Sequence, residues 1–494
     1  MSSSPTASTD RLDPFIIKLG LVVSLGSIMS ILDTTIVAVA TEKLAAAFHA
    51  SVSTIQWVTT GYLLALGIVV PITGWAIHRV GAKKLFIVSI ALFTLGSVLC
   101  GFAWSAPSLI FFRVLQGIGG GMIMPAGQTI ITRFAGPQRM GRVMGMIGIP
   151  TVMGPVLGPV LGGLIVNHYS WRWIFFVNLP IGLITLYFAN RIIPATAADE
   201  GHPFDLRGFI LLSPGLALVL YGLARVGETG GFSDPWAQLT FWAGIALMVA
   251  FVVHATRVKW PLIEVALFKI RAFAISTSTV AVLAVTLFGT IFLLPLYYQV
   301  VRGQSPLLAG IMMAPQGVGA GLMMKWAGTQ ADRRGIKILV PTAVLVAGLG
   351  TFIYTQVTPT TNLWLLGFSL FVRGLGLGAA FSPVVAASYK HLTHEQIPKA
   401  TTTINIMRQV GASIGVALYA VVLQSALHKQ FPGAAAHLGS IPSHLSPEVA
   451  DKLAAAFRQA FWWSFATIIV AVIPTLFLER GRILQEPEDF LSTE

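Results

Sequence analysis

The sequence predicts an all-α polytopic membrane protein of 14 transmembrane helices. Three observations carry that reading: composition, a series of apolar runs, and the placement of basic residues between them. Of 494 residues, 55% are hydrophobic and 10% are charged, whereas a soluble domain carries about 25% charged residues. No soluble interior holds that much apolar side chain, so part of the surface faces lipid. A membrane span needs about 20 apolar residues. Runs of that kind fall at 15–40, 56–78, 84–104, 109–131, 143–166, 173–193, 208–224, 236–256, 272–299, 307–327, 338–357, 363–386, 400–426 and 459–478. With both termini inside, 21 Lys and Arg lie in cytoplasmic segments and 7 in outer ones, which is the bias expected of cytoplasmic loops. An odd number of spans would scramble this alternation.

The same features exclude several function classes. The net charge is +13, but the basic residues are spread over short loops rather than gathered in one patch, so no nucleic-acid partner is expected. The single cysteine, Cys100, sits in an apolar run and permits no intrachain disulfide. Residues 1–14 are rich in Ser and Thr and lack the basic start and small-residue cleavage site of a signal peptide, so they read as a cytoplasmic tail. The longest loops are 194–207, 257–271, 387–399 and 427–458, and none holds a separate domain. A membrane-embedded enzyme would need a cluster of His, Asp or Glu at one membrane face. His168, His254, His391 and His394 form no such set, so neither enzyme activity nor a metal or other cofactor is expected.

The chain repeats itself weakly. Gly74-Trp-Ala-Ile-His78-Arg79-Val-Gly81-Ala-Lys83-Lys84 follows the second span, and Gly328-Thr-Gln-Ala-Asp332-Arg333-Arg-Gly335-Ile-Lys337 follows the tenth, an offset of 254. Arg113-Val-Leu-Gln116-Gly117-Ile-Gly119 in the fourth span is matched by Arg373-Gly374-Leu-Gly376 in the twelfth, an offset of 260. The plan that follows has an N-terminal tail (1–14), a six-helix bundle (15–193), a linker with two additional helices (194–271), a second six-helix bundle (272–480) and a C-terminal tail (481–494). Repeated halves with a site between them are the signature of alternating access.

Those motifs resemble the major facilitator superfamily, in particular its fourteen-helix drug:proton antiporter branch, over about 15–480. The loop pattern Gly-x-x-x-Asp-Arg-x-Gly-x-Lys is complete at Gly328–Lys337, while its first copy has His78 in place of Asp. The fifth span carries the branch's Gly154-Pro155-Val-Leu-Gly158-Pro159 run, and the first span carries Leu32-Asp33-Thr34-Thr35. Trp171-Arg172-Trp173 with Asn178-Leu-Pro180 is also typical of the branch. The resemblance implies proton-coupled export of hydrophobic or cationic small molecules from a bacterial-type inner membrane, as in antibiotic resistance, with protons as the coupling ion and no cofactor. A lipid or amphiphile exporter on the same fold is the alternative. A periplasmic adaptor is left open.

Specific residues follow from physical argument. Asp33 is a carboxylate well inside a span, where charge costs several kcal/mol (about 3 on insertion scales) unless paired, hydrated or protonated. Arg113 lies at similar depth in the fourth span, so the two form the candidate proton-coupling pair. His78, Arg79, Gly81, Asp332, Arg333 and Gly335 are the candidate cytoplasmic latch. Gly154, Pro155, Gly158 and Pro159 put helix breakers four residues apart and predict a tightly packed, bendable half-to-half contact. The glycines from Gly117 to Gly121 lie inside a span without the Lys of a phosphate loop and read as close helix packing. Thr34, Trp57, Tyr62, Gln116, Phe288, Phe292, Tyr297, Tyr298, Arg373, Asn405, Arg408 and Gln409 are the candidate lining of a substrate cavity.

Overall fold

A computed structural model describes residues 13–135, 139–195, 203–393, 395–431 and 446–478, and His394 lies outside the described residues. The expected tails 1–14 and 481–494 lie outside the described residues, except for Asp13 and Pro14. The described chain is helical: α1 (Pro14–Val39), α2 (Thr41–Phe48), α3 (Val52–Val69), α4 (Thr73–Val80), α5 (Ala82–Gly101), α6 (Ala106–Ala135), α7 (Met140–His168), α8 (Trp173–Phe176), α9 (Asn178–Ile192), α10 (Leu206–Thr229), α11 (Pro235–Ala255), α12 (Arg271–Leu296), α13 (Pro306–Arg334), α14 (Leu339–Phe352), α15 (Leu363–Ala387), α16 (Ile397–Gln430) and α17 (Pro447–Leu476).

Among the described residues, 13 helical segments are long and apolar enough to cross a bilayer. The 29-residue α7 is a further long helix, which brings the set to the predicted 14. Several helices outrun their apolar cores, because hydrogen-bonded turns continue past the lipid boundary. The twelve-residue N-terminal extension of the last span, from Pro447 to Arg458, is the largest case. The second span is α3 joined to α4 through one 3-10 turn at Val70–Ile72, where Pro71 removes a backbone donor. Helix starts obey local chemistry. Asp13, Asp234, Ser305 and Ser446 each cap a helix that has Pro at its first position, which satisfies orphan N–H groups and presets φ.

The helix pairings among the first six spans recur among the last six. α5 packs on α6 as α14 packs on α15, α3 on α6 as α13 on α15, and α1 on α7 as α12 on α16. Glycines make these approaches possible. A Cβ on Gly117 would stand 2.6 Å from the Tyr62 carbonyl oxygen, and one on Gly374 2.1 Å from that of Gln316. A Cβ on Gly119 would stand 2.6 Å from Phe93 N, and one on Gly376 2.3 Å from Ala347 N. Only bare backbone fits there.

These contacts correct the second sequence landmark. Gly117 and Gly119 correspond to Gly374 and Gly376, an offset of 374 − 117 = 257. Gly96 packs on the backbone of Gln116, and Gly350 packs on that of Arg373. Arg373 is therefore the structural counterpart of Gln116, not of Arg113. Equal residue types three positions apart made the offset of 260 look right, but packing sets the register.

The two sets of six meet along two seams. α7 packs on α13 and α15 at one. At the other, α16 packs on α4 and α6, and α10 lies between α3 and α16. α11 packs on α10 at the periphery, with Trp236, Trp242 and Val249 exposed on it as a lipid-facing helix requires.

Candidate functional site

Asp33 on α1 and Arg113 on α6 meet inside the first set of helices, both fully buried. Arg113 Nη1 donates to Asp33 Oδ2 at 2.5 Å. The other carboxylate oxygen, Oδ1, accepts from Gln116 Nε2 and from Asn178 Nδ2, each at 2.9 Å. Asn178, at the start of α9, also donates to Ser97 Oγ at 3.0 Å, and that hydroxyl donates to the Phe175 carbonyl at 2.9 Å. Arg113 donates further to the Val58 carbonyl at 3.1 Å and to Gln116 Oε1 at 2.8 Å. Its guanidinium carbon lies 4.1 Å from the Tyr62 ring centroid, a favourable cation–π distance. One donor, Arg113 Nη2, is buried without a hydrogen-bond partner.

The arrangement is a charge pair held in apolar surroundings by neutral donors. Charges taken out of water are tolerated only when paired and hydrogen-bonded. Asp33 receives three donors, so its anionic form is well supplied. Ser97 and Asn178 were missed as site residues. Their signal was available, since Asn178 follows the Trp171–Trp173 run, but nothing in linear spacing places α9 against α1.

Among the described residues, the second set of helices has no such pair. At the position of Gln116 stands Arg373, which donates to Gln316 Oε1 at 2.6 Å, Thr351 Oγ1 at 3.1 Å and the Thr286 carbonyl at 3.2 Å. These acceptors are neutral. Among the described residues no carboxylate pairs with Arg373.

The latch residues lie at one end of the seams. Asp332 Oδ1 accepts from Gly141 N at 3.0 Å, and Oδ2 accepts from Arg142 N and Arg142 Nε, each at 3.3 Å. Gly141 and Arg142 are in the first turn of α7. Asp332 thus caps a helix from the other side of the seam, where a carboxylate meets both orphan N–H groups and the positive end of the helix dipole. One turn earlier Gly328 and Gly141 touch backbone to backbone, and a Cβ on Gly328 would stand 2.4 Å from the Gly141 carbonyl oxygen. Gly335 and Gly81 end α13 and α4 at φ 82° and 83°, a region that glycine alone enters freely. Arg79 and Arg333 are exposed. His78 is buried at 9% exposure, and Gly74, one turn before it, packs against Pro398, Lys399 and Thr402 at the start of α16.

The run on α7 does something other than predicted. Cβ atoms on Gly154 and Gly158 would strike Ile31 and Thr35 of α1, at 2.3 and 1.9 Å. These glycines therefore seat α7 on its own neighbour, not on the other set of helices. The contact across the seam uses Gly141 and Gly145, whose Cβ atoms would stand 2.6 and 2.9 Å from the carbonyl oxygens of Gly328 and Met324. At 100° per residue, Gly145 and Gly154 lie on opposite faces, about 180° apart. The side chains of Pro155 and Pro159 lie outside the described residues.

The candidate cavity residues divide. Tyr62 and Gln116 belong to the Asp33–Arg113 cluster. Thr34 bonds back to the Ser30 carbonyl at 3.0 Å. Trp57 stacks on Tyr221 of α10, 5.9 Å between centroids, and is 44% exposed. Tyr297 and Tyr298 are core residues rather than cavity walls: Tyr297 packs on Phe457 and Phe461, and Tyr298 bonds to the Tyr354 hydroxyl at 2.8 Å. Phe292 packs on the same cluster, and Phe288 packs on a separate one of Leu287, Ala347 and Leu377. Asn405 reaches across the seam and donates to Gln128 Oε1 at 2.7 Å. Gln409 lies beside Gly67. Of the predicted residues, Arg408 alone directly lines the small cavity where α6, α7, α15 and α16 converge.

Repeated helix pairings, two seams and a buried polar core define a multi-pass helical membrane protein built from two sets of helices. Comparison with known proteins agrees. A model described as the Major Facilitator Superfamily matches residues 23–416. The chain is 39% identical to "Multidrug resistance protein B homolog" of Mycobacterium tuberculosis, over 98% of this chain and 94% of that protein. It is 31% identical to "Putative multidrug resistance protein MdtD" of Serratia proteamaculans, over 83% of this chain and 85% of that protein. Among solved structures it resembles the proton:xylose symporter XylE, with TM-score 0.62 and 15% identity, covering 93% and 94% of the two chains. The chain belongs to the major facilitator superfamily, and it is a transporter, not an enzyme.

Proposed function

We propose that the chain exports hydrophobic small molecules from the cytoplasm in exchange for protons, by alternating access between two six-helix halves, 15–193 and 272–480, with both termini cytoplasmic in a bacterial-type inner membrane. The observation that carries the reading is the fully buried Asp33–Arg113 pair. Protonation of Asp33 removes the anion and leaves the guanidinium to Val58, Gln116 and the Tyr62 ring. That loss of attraction is the differential energy a coupled cycle needs. One proton entering down a membrane potential supplies about 2.3 kcal/mol per 100 mV. The relatives named for multidrug resistance support small-molecule cargo.

Dye accumulation in everted proteoliposomes tests this. Under an acid-inside gradient the wild type is expected to concentrate a lipophilic dye, and Asp33→Asn is expected to lose the gradient-dependent part. Undiminished gradient-driven accumulation by the variant would falsify the assignment.

A further inference from the structure

The two seams close differently at the end where Asp332 lies. At the first, Gly328 of α13 meets the start of α7, and Asp332, one turn on, accepts from Gly141 N and from Arg142 N and Nε. At the second, Gly74 of α4 meets the start of α16: its Cβ would stand 3.5 Å from both the Pro398 carbonyl oxygen and Lys399 Cα. Pro398 and Lys399 therefore answer to Gly141 and Arg142, at 398 − 141 = 257, the step that also relates Gly374 to Gly117. His78, one turn after Gly74, answers to Asp332. The contact of the first seam cannot be repeated here. An imidazole stands in place of the carboxylate, and proline has no N–H to donate. Neither α4 nor α16 contains an Asp or a Glu.

A carboxylate reaches the second seam from outside both sets of helices. The segment between α11 and α12, residues 256–270, lies over this seam as a strap. Lys399 Nζ donates to Glu264 Oε2 at 3.4 Å, and the same ammonium lies 5.8 Å from the Trp260 ring centroid. Leu262 and Ile263 are buried in one cluster with Val70, just before α4, and with Ile406 of α16, so the strap touches both sides of the seam. Its anchor is Asp205 at the start of α10. Asp205 Oδ1 lies 2.8 Å from His254 Nε2 in the last turn of α11, and Oδ2 accepts from Leu262 N at 3.1 Å. Beside that anchor, Phe204 packs on Trp75 of α4 with 4.7 Å between centroids. The anchor thus grips α4 through apolar rings, and the strap grips the start of α16 through a charge.

We propose that Glu264 is a positioning residue of the transport cycle: it clasps Lys399 while this end of the second seam is closed and lets go when α16 moves away from α4. This rests on the reading of the chain as an alternating-access transporter. It also gives the two helices outside the repeat a task, since the strap that leaves them completes a latch that the repeat itself leaves open. Partial exposure suits a clasp. The Glu264 and Lys399 side chains are 30% and 15% exposed, so both return to water on release and little is lost. A fully buried pair such as Asp33–Arg113 is far more costly to part.

Cysteine labelling at the second seam tests this without any need for transport. The Thr402 hydroxyl lies 3.2 Å from where a Gly74 Cβ would stand, so Thr402→Cys reports opening through its rate of reaction with a membrane-permeant maleimide. The full chain is labelled in phosphatidylcholine nanodiscs, and the chain without that cysteine is the blank, since Cys100 is buried. Glu264→Gln is expected to raise the rate about 1.5- to 5-fold, the range for a solvent-exposed pair. Glu264→Lys is expected to raise it about threefold or more, through like-charge repulsion. Adding Lys399→Glu to Glu264→Lys rebuilds the pair with its charges exchanged and should return the rate to within about twofold of the reporter chain. An unchanged rate in Glu264→Lys overturns the proposal, as does a raised rate that the exchange leaves in place. Should Glu264→Lys fail to fold, Glu264→Gln decides alone, and an unchanged rate again overturns it. Asp332→Asn, read with a cysteine at Ser382, separates the two possible failures. A response at the first seam with none at the second removes the clasp alone; silence at both counts against the alternating movement itself. No gradient is used, so the outcome is independent of the Asp33→Asn result.

Discussion

At Asp33 the carboxylate is held by a guanidinium and two side-chain amides, and the amides matter as much as the charge. Asn178 donates to both Asp33 and Ser97 and so ties α9 to α1 and α5. Asn178→Ala leaves the carboxylate short of a donor and Ser97 without its amide partner. Losing a hydrogen bond to a buried charge costs about 1–3 kcal/mol, and thermal unfolding in detergent should show a destabilisation of that size. An unchanged midpoint would mean that water replaces the amide. Asp33 and Arg113 were legible in the sequence, because charges inside apolar runs are rare and must find each other. Asn178 was not, because a neutral amide carries no such obligation and its value depends on where α9 comes to rest.

Among the elements, α7 is the one that separates packing from gating. One face, with Gly154 and Gly158, seats it on α1. The opposite face, with Gly141 and Gly145, meets α13 across the seam. The run of Gly and Pro was visible in the sequence, but its direction was not, since a glycine carries no side chain to mark an apolar or polar face. Asp332 then caps α7 from α13. Asp332→Asn keeps the shape and loses the charge; a capping contact is worth about 0.5–2 kcal/mol. The seam should open more often at this end, by roughly a factor of 2 to 30 at 1.4 kcal/mol per tenfold. A cysteine placed at Ser382, which bonds to Gly141 across the same seam, should be labelled faster by a membrane-permeant maleimide. Gly328→Ala is expected to do the same through backbone collision, since its Cβ would stand 2.4 Å from the Gly141 carbonyl oxygen and 2.9 Å from Arg142 N. An unaltered labelling rate in both variants would count against a gating role for this contact.

For the whole molecule, the proposed alternating access requires the ends of α7 and α13 opposite the Asp332 contact to part. In this structure they touch: a Cβ on Gly163 would stand 3.5 Å from that of Leu307, within the span of a disulfide. The native Cys100 is buried and free, so a Gly163→Cys, Leu307→Cys pair meets no competing exposed thiol. Oxidation should abolish dye transport and reductant should restore it. Full activity in the oxidised, cross-linked protein would show that the two helices travel as one body.

The sequence by itself determined the membrane class, the number of long helices, the weak twofold repeat and the identity of the buried ion pair. All of these follow from the cost of exposing backbone and charge to lipid, a cost that acts residue by residue along the chain. Tertiary structure alone decided the register of the repeat, in which Arg373 answers to Gln116. It also decided which way the α7 glycines face, the service of Asn178 to Asp33, and the contact of Arg408 with Met124 across the seam. Those facts depend on which helix lies beside which, and close packing between helices is set by small local shapes that a linear pattern of apolar residues does not distinguish.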